Sequence, residues 1–180
     1  MYLLNHIELG RLYVLLIFDV ITELEKQIKH SLRQHELKDE IEDGMVMSIC
    51  VINTKNNKMQ YAGAYNSLFL IRDVNNEPEL EVIKADRMSV GIFFGREESF
   101  TNNEIKLKMG DAFYMPSDGY TDQSGGKDGE KFMTKNLKTL LPDIQNHSMP
   151  EQKDILKQKL TDWMVDEEQV DDILVIGVRI

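Results

Sequence analysis

The stretch AFYMPSDGYTDQ, residues 112–123, joins a short apolar run to an acidic turn. Ala112 to Met115 have the length and apolarity of a buried strand, and Pro116 limits further ladder pairing because it has no N–H to donate. Asp118 and Asp122 then flank a glycine. An Asp before Gly is common in turns, where its side chain bonds its own backbone. At a strand end, however, a carboxylate can also converge with others on one spot. The outward reading therefore looks for a second acidic group at another strand end, and the chain has one: Asp171 and Asp172 stand at the start of the closing apolar run ILVIGV. For this pair the plain alternative is a solvated strand edge.

Upstream, EIKLK alternates, with Ile105 and Leu107 on one face and charges on the other, as in a half-buried strand. Met109-Gly110-Asp111 makes a tight connection into AFYM. Further back, MVMSICVIN (45–53) is apolar on both faces and predicts a central strand covered on two sides. TKNNK supplies a turn and MQYAGA (59–64) the antiparallel partner. NSLFLIRD (66–73), the turn NNEP and ELEVIKA (79–85) extend this into the simplest topology, an antiparallel meander. Leu12 to His35 reads as a helix, with Ile17, Ile21, Leu24, Ile28 and Leu32 on one face. Downstream, KNLKTLLPDI predicts a short helix ending near Pro142. PEQKDILKQKLTDWM (150–164) predicts a stronger one, with Pro at its start and a stripe of Ile155, Leu156, Lys159, Leu160 and Trp163. DDILVIGVRI is expected as a strand in the middle of a sheet. Trp163, on the stripe, is a packing residue. The flexible Ser124-Gly125-Gly126 is either a plain loop or a lid.

The chain's 180 residues suffice for a domain with its own core. A net charge of −10 argues against nucleic acid or an anionic membrane as partner. LYVLLIF (12–18) is too short to span a bilayer, and MYLLNHIELGR lacks a signal-peptide layout, so a cytoplasmic location without membrane insertion is expected. The single cysteine, Cys50, lies in an apolar run and reads as an inert thiol. The histidines, His6, His30, His35 and His147, share no metal-ligand spacing. There is no Walker loop and no Gly-x-Ser-x-Gly elbow. Hard cations such as Mg²⁺ and Mn²⁺ prefer carboxylate oxygen, so Asp118 and the Asp171-Asp172 pair are the candidate metal residues.

Taken in order, DGMVMSICVIN, MQYAGAYNSLFLIR, IKADRMSVGIFFG, FTNNEIKLKMGDAFYMPSDGYTDQSGG and EEQVDDILVIGVRI resemble the bacterial sporulation-stage-II-E (SpoIIE) type phosphatase domain. That is a branch of the metal-dependent PP2C serine/threonine phosphatases. The resemblance runs from about Asp43 to Ile180 and extends loosely into the helix from Ile17 to His35. It implies an α+β fold, an α-β-β-α sandwich of antiparallel sheets, with residues 1–180 forming a single domain that is the C-terminal portion of the fold. It also implies that Asp118 and Asp171 are metal ligands with catalytic roles, that Asp172 supports the site and that Gly119 lets the backbone turn beside the metal. Asp118 would then be both a turn residue and a ligand. The implied cofactor is Mn²⁺ or Mg²⁺, two ions in the family. The implied partner is a phosphoserine or phosphothreonine protein, with anti-anti-sigma-type regulators as one class, in bacterial signalling.

The sequence departs from this family at its start. The early Gly-Asp-x-Thr/Ser-Gly-His-Gly stretch, whose Asp bridges both metals, does not occur, and Val46 stands where an Asp is usual. The expectation is an N-terminally truncated domain that holds fewer ions, more weakly, and has little activity alone. A catalytically inactive module in protein–protein regulation is the alternative. LYVLLIF then either fills the gap of the missing strands or forms a homodimer contact.

Overall fold

The computed structural model describes residues 44–91 and 100–180, together with Leu24 and Gln27. The helix expected over Leu12–His35 and the LYVLLIF contact fall outside these residues, save that Leu24 and Gln27 have helical backbone. The described chain forms two compact units, one containing Phe69–Val82 and Lys108–Ile180, the other 44–68, 83–91 and 100–107.

In the second unit, β1 (Gly44–Met45) pairs antiparallel with β6 (Val90–Gly91). The strands β2 (Met47–Asn53), β3 (Lys58–Ala64) and β7 (Asn103–Lys106) form a sheet in the order β2-β3-β7. The hairpin β2–β3 turns where the sequence predicts, with Asn57 at φ 53. Alternate residues Met47, Ile49 and Val51 pack, with Leu24, against buried Ala62, Ala64, Met88, Val90 and Phe100. All seven residues of β2 are half-buried, and among the described residues β2 lies at the sheet edge rather than its centre. The meander also stops after β3. Tyr65 takes φ 60, Tyr65 N–H donates to the Asp86 carbonyl, and the chain leaves for a different sheet. Gly63 makes this exit fit: a Cβ there would lie 2.6 Å from the Asn66 carbonyl oxygen, which accepts the Tyr61 hydroxyl proton.

In the first unit, β4 (Leu68–Val74), β5 (Glu77–Ile83), β8 (Ala112–Pro116) and β11 (Val175–Arg179) form an antiparallel sheet ordered β11-β8-β4-β5. Asn75 and Asn76, at φ 58 and 66, make the β4–β5 turn, since two consecutive positive φ values match the twist of a hairpin. Among the described residues β5 is an edge, where Pro78 is tolerated. Among the described residues β11 is the other edge, so its near-uniform apolarity does not mark a central strand. Three helices follow: α1 (Asp118–Asp122), α2 (Met133–Asp143) and α3 (Met149–Met164). A small hairpin of β9 (Ser124–Gly125) and β10 (Glu130–Lys131) separates the first two. Strand residues two apart (Phe69 and Ile71, Ala112 and Tyr114) meet helix residues four apart (Leu137 and Leu141, Leu156 and Leu160) in one core. Ser148 and Glu151 close a capping box at the start of α3, with Pro150 in its first turn. Its hydrogen bonds to Ser148 hold the Glu151 carboxyl below the usual carboxylate range.

Several polar groups buried in this core are hydrogen-bonded. Gln152, fully buried, accepts from the Tyr114 hydroxyl and donates to the His147 carbonyl. The Tyr120 hydroxyl donates to the Leu156 carbonyl at 2.8 Å. Asp111, 3% exposed, accepts from Lys108 N–H at 2.9 Å and faces Arg72 at 3.4 Å.

Burial pushes the phenols of Tyr61 and Tyr120 well above 10.0, and that of Tyr114 up to about 12. In this range the unfolded chain binds fewer protons than the native one, so stability falls as pH rises. The buried tyrosines thus contribute stability that is fully present below pH 10 and lost progressively above it. Urea midpoints measured from pH 8 to 11 should begin to fall above about pH 9, where the Cys50 thiol ionises in the unfolded chain, and fall more steeply beyond about pH 10. Tyr120→Phe should remove part of that fall.

Candidate functional site

The backbone segments that carry Asp118 and the Asp171-Asp172 pair adjoin in the first unit. Asp118 opens α1, immediately after β8, and Asp171 and Asp172 lie in the irregular segment between α3 and β11. The antiparallel pairing of β11 with β8 sets Val175 opposite Pro116, which brings the two segments alongside. Ser117 closes them. Its N–H donates to the Leu174 carbonyl at 2.7 Å. Its hydroxyl donates to the Asp172 carbonyl at 2.8 Å and accepts from Leu174 N–H at 2.9 Å.

Gly119 completes the approach. A Cβ there would stand 2.4 Å from the Asp172 carbonyl oxygen and 3.4 Å from the Asp171 carbonyl carbon. Its φ is not in the left-handed region, so space rather than torsion requires glycine. Asp118, Asp171 and Asp172 are all exposed. Asp171 Oδ1 accepts from Asp172 N–H at 2.6 Å, and Gln169 Nε2 donates to the Asp171 carbonyl at 2.7 Å, which orders the acidic pair. Asp122 instead pairs with Lys131 at 2.7 Å and stands apart from this set.

The donor chemistry fits a hard divalent cation. Mg²⁺ and Mn²⁺ commonly sit on one or two carboxylates and complete their shells with water and phosphate oxygen. Asp118 and Asp171 offer two such carboxylates on adjoining backbones. Among the described residues no group of three or more His, Cys, Asp or Glu side chains forms a metal cluster.

The other sequence candidates resolve into structural roles. Trp163 packs edge-on to Phe132, with ring centroids 5.6 Å apart, and its indole N–H donates to the Gln123 carbonyl. Ser124-Gly125-Gly126 is not a lid. A Cβ on Gly125 would lie 2.0 Å from the Trp163 carbonyl oxygen, and Gly126 N–H donates to that same oxygen at 2.7 Å. These glycines are small so that the β9 hairpin can lie against the end of α3. His147 is exposed. Burial pushes the half-buried Cys50 thiol up to about 11, in keeping with inertness. Lys159, placed on the α3 stripe, is exposed, and Gln152 takes a buried position instead. Sequence reasoning also passed over Ser117 and Gln123. Ser117 adjoins Asp118, and Gln123 closes α1, but neither residue type announces burial.

Comparison with known proteins bears on the family and the fold. The SpoIIE family (Stage II sporulation protein E) matches residues 17–180. No curated protein sequence matches the chain. The SiaA-PP2C domain of Pseudomonas aeruginosa superposes with a TM-score of 0.77 at 24% identity, covering 89% of this chain and 59% of that one. The phosphatase domain of the cell-fate determinant SpoIIE from Bacillus subtilis gives a TM-score of 0.58 at 18% identity, covering 97% and 76%. The catalytic domain of the serine/threonine protein phosphatase PstP, solved with two manganese ions, gives 0.55 at 14% identity, covering 92% and 71%. The chain thus spans about three fifths of the SiaA-PP2C domain. The expected α+β architecture with antiparallel sheets is borne out by these folds. With a family match over most of its length and a PP2C-type fold, this chain belongs to the SpoIIE family of PP2C-like phosphatase domains.

Proposed function

We propose that the chain acts as a metal-dependent protein serine/threonine phosphatase domain in bacterial signalling. The observation that carries this reading is the seating of Gly119 on the Asp171–Asp172 backbone, which supports Asp118 acting with that acidic pair. Asp118 and Asp171 would hold Mn²⁺ or Mg²⁺, with Asp172 as a flanking charge. A cation there lowers the pKa of water and neutralises charge on phosphoryl oxygen.

The chain's own groups orient and anchor. Both hydroxyls beside the carboxylates are committed to backbone: Ser117 as described, and Thr121 by donating to the Asp118 carbonyl at 3.2 Å. Neither is poised as a nucleophile, which supports water as the attacking group, as the family resemblance implies. Its oxygen bonds to phosphorus as the ester P–O bond breaks, giving inorganic phosphate and a free Ser or Thr hydroxyl. The substrate class is a phosphorylated regulatory protein, with the anti-anti-sigma type as the proposed example, met in the cytoplasm. Among the described residues no helix is long and apolar enough to cross a membrane.

A phosphoserine peptide should be turned over by the purified chain with millimolar Mn²⁺. Chelation should abolish turnover and readdition should restore it. The two-carboxylate donor set favours a second reading, a regulatory module that keeps the fold without the chemistry. Absence of turnover at every Mn²⁺ and Mg²⁺ concentration would select it.

A further inference from the structure

Residues 167–174, which carry Asp171 and Asp172, have no regular secondary structure. Ser117 holds their C-terminal side. Their N-terminal side is held by one side chain, Gln123, which is fully buried. Gln123 Nε2 donates to the Glu168 carbonyl at 2.9 Å and to the Ser124 carbonyl at 3.1 Å. Its Oε1 accepts from Val170 N–H at 3.2 Å. Only one orientation of the amide satisfies these partners, because the carbonyls need a donor and the N–H an acceptor. The Gln123 backbone carbonyl takes two further donors, Phe132 N–H at 2.9 Å and the Trp163 indole at 3.2 Å. Gln123 is therefore fixed from behind by Phe132 at the start of α2, by α3 and by Ser124 of β9, and it grips the residue immediately before Asp171.

We infer that Gln123 is a positioning residue that fixes the 168–170 backbone, and through it Asp171 and Asp172, against Asp118. The cation side of this inference rests on the proposed metal reading, while the anchoring stands on the hydrogen bonds alone. A buried amide with donor and acceptor both used on one loop is a costly arrangement to leave half-made, so its removal should release the loop.

The test uses the full chain, with Gln123→Met and Gln123→Glu as variants. Methionine keeps length and loses both bonds. Glutamate can still accept from Val170 N–H but places an acceptor against the Glu168 carbonyl. Hydrogen exchange of residues 166–174, read at the Val170 amide, should be slow in the unmodified chain. It should accelerate at least about fivefold in the methionine variant. Mn²⁺ titration, followed by the electron paramagnetic resonance signal of the free ion, should show the dissociation constant rising about tenfold. Far-UV circular dichroism should remain that of the unmodified chain. If the methionine variant fails to fold, the glutamate variant carries both readings. A folded variant with unchanged loop exchange or unchanged Mn²⁺ affinity overturns the inference. So does an unprotected Val170 amide in the unmodified chain, whatever the variants do. If the unmodified chain binds no Mn²⁺ while the loop loosens in the variant, the metal reading fails and the anchoring stands.

Discussion

Asp118→Asn should lower Mn²⁺-supported turnover of a phosphoserine peptide by at least about a hundredfold, since groups only one shell out from a metal already account for about 10–100-fold. Asparagine keeps the shape and one oxygen but removes the charge that draws a hard cation. The Asp118 carbonyl, which accepts from Thr121, is untouched, and the side chain is exposed. Stability should therefore stay within about 0.5 kcal/mol. Asp171→Asn should behave alike, because an asparagine oxygen can still accept from Asp172 N–H, the bond that orders this turn. Turnover rates set beside urea midpoints check both halves of the prediction. Wild-type turnover in both variants would remove these carboxylates from the chemistry.

Gly119→Ala should act on the same site by a different route. The added methyl would lie 2.4 Å from the Asp172 oxygen and 2.9 Å from its carbonyl carbon. Both are backbone atoms held by Ser117, so relief requires α1 or the acidic segment to shift. Overpacking of this kind costs about 1–3 kcal/mol. The shift also separates Asp118 from Asp171, so Mn²⁺ affinity should fall with stability. Gly110→Ala is the control. Nothing lies within 4 Å of a Cβ there, but φ is +89, so that variant should be strained and less stable while Mn²⁺ affinity is unchanged. Denaturant midpoints and Mn²⁺ titrations of the two alanine variants separate crowding at the site from general weakening.

Local elements were legible where one physical signal dominated. The alternation of Ile105 and Leu107, the turn at Asn57 and the Pro150 helix start are decided within a few residues, and the chain keeps them. Sheet membership was not legible, because it depends on partners distant in sequence. β3 and β4 are separated by three residues yet join different sheets, and only the positive φ of Tyr65 marks the break. Among the described residues β2 and β11 lie at sheet edges, although their apolarity reads as that of central strands. At the site, resemblance to a family pointed to Asp118, Asp171 and Asp172, whose backbone segments adjoin, while spacing alone left a turn residue and a solvated edge as alternatives. Gln123 and Gln152 escaped because glutamine is usually exposed. Gln152 did leave a trace: it stands four residues before Leu156, which stands four before Leu160, on the buried stripe of α3.

The sequence contains one cysteine and one tryptophan, and the fold assigns them to different compact units: Cys50 to the β2 sheet and Trp163 to the end of α3. Burial pushes the Cys50 thiol up to about 11, which disfavours its thiolate at neutral to mildly alkaline pH. Modification by a maleimide is therefore slow until β2 opens and the thiol regains ordinary acidity. Trp163 emission changes when the indole leaves Phe132 and Gln123 for water. The unmodified polypeptide thus carries two optical and chemical clocks, one per unit. Coincident denaturant transitions by labelling and by fluorescence would mark cooperative melting of the whole chain, and separated ones would order the two units by their own free energies.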